Sequence, residues 1–331
     1  MERFALAAAV VLGFALTATL CSLFVPLRRV LERREQNQQP VQPEQPRPAP
    51  LRAPLWGGLC AAAGTVAAVG VGWLAACVGQ PELLGSEGRL MTRLLTALAG
   101  SLAFGAVGLA EDLARMRSPA ALGLRRDVRL LLEALAAAFV LLLLQAAGCL
   151  PRGLDVPGAG YVLLGSAVPF LWAVLMVALA ECARIAERDE GTVCGAAFVA
   201  MLALMMAEAG LGVPGLAVLP AALAGALVAL GLWAFPPARL GVGCCGSLLA
   251  AGAIGCIPLS LDMTSLTVPL ALPFWAAGGL LAAQLLGAKR TGKPLRCWVK
   301  KHKMSPETVF LCSFALSAVG YVLALALLRW C

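Results

Sequence analysis

Apolar runs long enough to cross a hydrocarbon core, which takes about 20 residues, recur along the whole of this chain. They cover residues 4–26, 55–78, 94–110, 128–148, 158–180, 191–211, 213–235, 241–261, 266–286 and 308–328. Inside lipid every backbone N–H and C=O must be satisfied within the protein, which leaves only helices and closed barrels. Ala and Leu dominate the runs, and none alternates in the ten-residue pattern of a barrel strand. The sequence therefore predicts an all-α polytopic membrane protein of about ten transmembrane helices, forming a single integral membrane domain over residues 1–331. A mean hydropathy of +0.86, with only 13% charged residues, excludes a soluble domain with a polar surface.

Charge orients the bundle. The odd-numbered connections carry Arg28, Arg29, Arg33 and Arg34, then the Arg115 to Arg129 group, then Arg184 and Arg188, then Arg239, then the lysines around Lys300. Cationic loops stay in the cytoplasm, so these connections are expected to be cytoplasmic and both termini extracytoplasmic. Residues 27–54 form a Pro/Gln-rich loop expected to be mobile. Residues 287–307 form a basic cytoplasmic loop. The net charge of +8 is mostly this asymmetry, so it calls for membrane lipids or phosphate ligands and not for nucleic acid. The first run lacks a basic leader and a small-residue cleavage site, and is expected to be an anchor and not a signal peptide.

Twelve cysteines are scattered in or beside the apolar runs without a C-x-x-C pair, as expected of small packing residues. One histidine, His302, excludes a zinc site built on several His ligands.

The polar residues with chemical promise gather in the odd connections. Glu111 and Asp112 follow directly on an apolar run, where adjacent carboxylates are costly without a partner. Arg129 and Glu133 are four apart on one helical face. In the loop Glu181 to Gly191, Arg184, Glu187 and Glu190 recur at intervals of three, which places all three on one face if the helix continues. Gly241 to Leu248 is a Gly-rich turn opening a helix, whose free N–H groups suit an anion. Arg52 to Gly58 brings a proline and two glycines to a helix entrance.

Taken jointly, these loops resemble the polyprenyl-phosphate sugar-1-phosphate transferases, the family of phospho-N-acetylmuramoyl-pentapeptide transferase and the N-acetylglucosamine-1-phosphate transferases. Ala53-Pro54-Leu55-Trp56-Gly57-Gly58 is similar to the family's second-helix entrance. Gly108 to Asp112, followed by Arg129-Leu130-Leu131 and Glu133, is similar to its G-x-x-D-D and K-L-L-x-Q motifs. Glu181, Arg184, Glu187, Arg188, Glu190 and Gly191 keep the position of N-x-x-N-x-x-D-G-x-D-G but replace both asparagines, the first glycine and each aspartate. Gly243-Cys244-Cys245-Gly246-Ser247-Leu248 aligns with G-D-x-G-S-L and sets Cys244 where the family has a magnesium-binding aspartate. His302 alone survives from a histidine-rich last loop.

The resemblance implies transfer of a phospho-N-acetyl-sugar from a UDP-sugar to a polyprenyl phosphate, with Mg²⁺, at a bacterial plasma membrane in cell-wall glycan (peptidoglycan) synthesis. It implies Glu111, Asp112 and Glu187 as catalytic residues and Glu187, Glu190 and Cys244 around the metal. Arg129 and Arg184 would meet lipid or donor phosphate, and Lys300, Lys301, His302 and Lys303 the nucleotide-sugar. A thiol is a poor magnesium ligand and each Asp-to-Glu change adds a methylene, so the expected activity is weak or lost. Two readings stay open: a divergent transferase, or an inactive membrane scaffold that binds lipid phosphate or nucleotide-sugar, as a homodimer or beside an active paralogue. A proton-coupled transporter fits less well, because the acids cluster in loops and not mid-span. Arg184 discriminates between the two readings in principle: a cation beside Glu187 and Glu190 would replace the metal's charge and hold the acids in salt bridges.

Overall fold

The computed structural model describes residues 2–38, 56–79, 88–117, 123–151, 153–156, 160–163, 165, 167–187, 191–213, 215–235, 239–286 and 306–328. Among them, ten long helices coincide with the ten apolar runs: α1 (Glu2–Gln38), α2 (Gly57–Gly79), α3 (Gly88–Arg117), α4 (Arg126–Ala146), α5 (Ala167–Ala186), α6 (Thr192–Gly210), α7 (Val218–Ala234), α8 (Gly243–Ser260), α9 (Leu272–Leu286) and α10 (Pro306–Leu328). Seven are long and apolar enough by themselves to cross a membrane. The chain is an all-α polytopic membrane protein. Helix α4 is set apart by Arg126, Asp127, Arg129 and Glu133 in its first turns, and α7 is only 17 residues long.

Three local features depart from the sequence reading. The run beginning at residue 158 opens as a hairpin, β1 (Gly153–Val156) against antiparallel β2 (Gly160–Leu163), before α5 starts. Gly160, at φ 71°, supplies a left-handed turn conformation that apolar content alone does not reveal. Helix α3 continues through Glu111 and Asp112 to Arg117, so the two acids lie within a helix and not at its frayed end. Helix α1 continues to Gln38 into the loop expected over 27–54; its Leu, Arg, Glu and Gln residues are good helix formers. Residues 39–54 and 287–305 lie outside the described residues.

Helix α8 is the axis of the bundle, with all its residues buried. It packs most extensively on α3, through small residues spaced along α3. A side chain on Gly100 would meet Cys256 Sγ at 2.6 Å, and one on Gly108 would collide with the Cys244 carbonyl. Without a hydrophobic drive between helices in lipid, such close backbone approach supplies the packing that holds them. The same device joins α2 to α8, where Gly58 lies against Gly246 and the Gly57 N–H donates to the Gly241 carbonyl at 3.2 Å. The two glycines of the entrance seen in the sequence thus form a backbone-to-backbone joint, and Arg52 to Leu55 lie outside the described residues. All ten described cysteines are free, and eight of them are buried.

Candidate functional site: a charged cluster at one end of the bundle

Successive helices alternate in direction, so the C-terminal ends of α3 and α5 meet the N-terminal ends of α4 and α8. Their charged residues converge there. Asp112 on α3 accepts hydrogen bonds from the backbone N–H groups of Cys244 (3.0 Å, to Oδ1) and Cys245 (2.9 Å, to Oδ2). Helix α8 has no side-chain cap of its own, so Asp112 caps it from a neighbouring helix and meets the positive end of its dipole. Gly243, at φ 71°, turns the chain so that these two N–H groups face α3.

Glu111, one residue earlier, is also buried. Its Oε1 accepts a hydrogen bond from Arg115 Nη2 at 2.7 Å and lies 3.9 Å from Arg129 Nη1, while its Oε2 has no hydrogen-bond partner. Arg115 is the hub on this side. Its Nη1 is 3.8 Å from Asp112 Oδ1 and 4.0 Å from Glu187 Oε2. Arg129, at the start of α4, reaches across to α5 and donates from Nε to Glu181 Oε1 at 2.7 Å. Glu133, on the same helical face as Arg129, is farther from that nitrogen, 3.9 Å, and beyond hydrogen-bonding range. Arg184 donates to the other oxygen of Glu181, leaving its own buried Nε without a hydrogen-bond partner.

Five carboxylates and three guanidiniums thus form one network from α3, α4 and the C-terminal end of α5, and α8 joins it through backbone N–H groups. Of the residues the sequence singled out, Glu111, Asp112, Arg129, Arg184, Glu187 and Cys244 are brought together. Glu190, Lys300, Lys301, His302 and Lys303 lie outside the described residues. Two pairings differ from expectation. Arg184 turns to Glu181, and a cation beside Glu187 is Arg115, which the sequence places in a basic loop. Its signal was the spacing of three and four residues from Asp112 and Glu111, visible once α3 is known to continue. Glu181, which joins two arginines, could not be ranked above its neighbours, since Arg129 is 52 residues away.

The donors present do not suit magnesium, which demands near-octahedral oxygen ligation. Both Asp112 oxygens accept N–H groups, Glu111 Oε1 accepts from Arg115 so that only its Oε2 is open, and the side chain at position 244 is a buried thiol. Among the described residues no three His, Cys, Asp or Glu side chains gather as a metal site.

A bundle of apolar helices with a buried, charged, multi-helix cluster at one end defines a multi-pass membrane protein whose polar chemistry is set at the membrane rim. The comparisons specify it further. A family model described as Glycosyl transferase family 4 matches residues 94–262, just over half the chain and the span from α3 through α8. The chain belongs to that family. It is 27% identical over 265 residues to a phospho-N-acetylmuramoyl-pentapeptide-transferase of Mycobacterium tuberculosis (strain ATCC 25618 / H37Rv), with 72% of each chain covered. It is 25% identical over 296 residues, 88% of this chain and 86% of the relative, to the protein of that name from Geobacillus kaustophilus (strain HTA426). A third, from Synechococcus sp. (strain RCC307), is 30% identical over 212 residues, 63% of this chain and 55% of the relative. With its bacterial relatives and, among the described residues, seven helices long and apolar enough to cross a membrane, the chain is a multi-pass plasma-membrane protein.

Proposed function

We propose that this protein acts on a polyprenyl phosphate and a UDP-activated N-acetyl-sugar at the charged end of the bundle, as a slow phospho-sugar transferase of its family. The observation that carries the reading is the convergence of Asp112, Glu187 and Cys244, far apart in sequence, with Arg129 and Arg184 beside them. An oxygen of the lipid phosphate attacks the sugar-bearing phosphorus of the donor, a new P–O–P bond forms, and uridine monophosphate leaves with the electrons of the broken bond. Two anions must meet for this, so fixed cations are required where charge develops. The open donor on Arg184 and the guanidinium of Arg129 supply them, and Glu111 Oε2 is an open acceptor on the same network. The arginine-rich end is the cytoplasmic one, with both termini outside, and the basic segment 287–307 serves the nucleotide.

A second reading, a binder that no longer turns over, is favoured by one specific feature: Asp112 is already committed to capping α8. Labelled phospho-N-acetyl-sugar transfer to undecaprenyl phosphate by the purified protein decides between them. We expect detectable product that disappears in Asp112→Asn, with the melting profile of the variant checked alongside. Saturable binding of undecaprenyl phosphate with no product rejects the transferase reading and leaves the binder, while absence of both binding and product rejects the pair.

A further inference from the structure

Three carboxylates, from Glu111, Asp112 and Glu187, surround one guanidinium. Arg115 Nη2 touches Glu111 at 2.7 Å, and its Nη1 lies between Asp112 at 3.8 Å and Glu187 at 4.0 Å. Glu111 and Asp112 are nearly sealed from solvent, at 2% and 1% exposure, so their charges need a counter-charge supplied locally. A bound divalent cation would answer that need, but the Arg115 guanidinium already occupies its place among the three carboxylates. Asp112 is held by two N–H groups of α8, the thiol of Cys244 lies next to it, and Glu111 Oε1 carries the Arg115 hydrogen bond. A guanidinium is charged at any accessible pH and presents several donors in a plane, so it can serve separate carboxylates at once. Arg115 is also held in place. A Cβ on Gly123, where the chain returns toward α4 at φ 70°, would lie 3.1 Å from Arg115 Cγ and 3.6 Å from Glu111 Cγ. Gly123 sets its backbone directly against the pair.

We propose that the Arg115 guanidinium is a built-in replacement for a divalent cation among Glu111, Asp112 and Glu187, so that this site works without a bound metal. The claim rests on the functional reading for the identity of the site only. Its test reads metal uptake without turnover, so that either idea can fail alone.

The protein, purified into nanodiscs after chelation, is titrated with Mn²⁺ while electron paramagnetic resonance reports the free ion. Wild type and Arg115→Lys are expected to leave Mn²⁺ free. Arg115→Gln is expected to take up a stoichiometric amount that Mg²⁺ displaces. Adding Glu187→Gln to that variant is expected to weaken uptake by at least about tenfold, since losing even an outer-shell partner of a metal ligand costs about ten- to a hundredfold. Stoichiometric, Mg²⁺-displaceable uptake by wild type overturns the proposal, and so does a folded Arg115→Gln that takes up none. If Arg115→Gln melts early, protection by Mn²⁺ supports the equivalence of the two cations. Instability that Mn²⁺ leaves unchanged counts against it.

Discussion

Helices α8 and α10 are both long enough to span a bilayer, yet they solve different problems. The α10 span has a mean hydropathy of 2.2 and only 17% of it is buried; the α8 span has 1.6 and is buried throughout. The more apolar helix is the one facing lipid. In water the order would be reversed, because burial would be driven by the removal of apolar surface. In a bilayer, lipid tails already solvate Leu, Val and Phe, and contact between helices depends on close approach and on polar groups. Accordingly two-thirds of α8 is Gly, Cys, Ala and Ser and it takes its cap from Asp112, whereas α10 turns Leu311, Val319 and Val322 outward.

The contrast breaks most sharply at Gly108. Gly108→Val would drive a branched side chain into the Cys244 backbone, which cannot rotate away, and overpacking of about 3 kcal/mol or more is expected. Loss of monodisperse protein after detergent extraction would report it; a normal melt would show that α3 and α8 are not in backbone contact. Next comes Asp112→Ala. Two buried N–H groups lose a charged acceptor, at about 1.5–3 kcal/mol for such a bond, so a destabilisation of about 3 kcal/mol in thermal unfolding is expected. An unchanged midpoint would mean that another group caps α8. Gly252→Ala on α8 is smaller. The new methyl meets Phe104 Cβ at 3.0 Å and Ser101 Cα at 3.1 Å, costing about 1–3 kcal/mol, and the better helix propensity of alanine returns about 1 kcal/mol. A net loss of about 1 kcal/mol is expected, and a gain would show slack in the α3–α8 contact. Last is Val322→Ala on the outward face of α10, expected to stay within about 0.5 kcal/mol. A large loss there would reveal a partner, such as a second copy of the chain, on a surface now assigned to lipid. Chelation sharpens the site itself: transfer activity is expected to survive removal of divalent cations if Arg115 fills their place.

Much of the architecture could be read directly. Run length and composition gave the helical membrane class, and motif spacing led to the family and to Glu111, Asp112, Arg129 and Glu187 in one place. Hidden from the sequence were the continuation of α3 past Ala110, the hairpin at Gly153–Leu163, and the partner of each charge. Arg129 has an eligible acid four residues away and instead bonds Glu181; Arg184 has Glu187 three residues away and bonds Glu181 as well. Spacing along one helix says which pairs can form, but not which pair a neighbouring helix will outcompete.

The sequence alone determined that this chain lives in a bilayer, because no other solvent accepts so much apolar length, and that its polar chemistry collects at one end. The tertiary structure decided what that chemistry is. Asp112 and the Cys244 amide, 132 residues apart, meet only because small residues let α3 and α8 touch, and that contact makes Asp112 the cap of α8 and sets Arg115 among the acids.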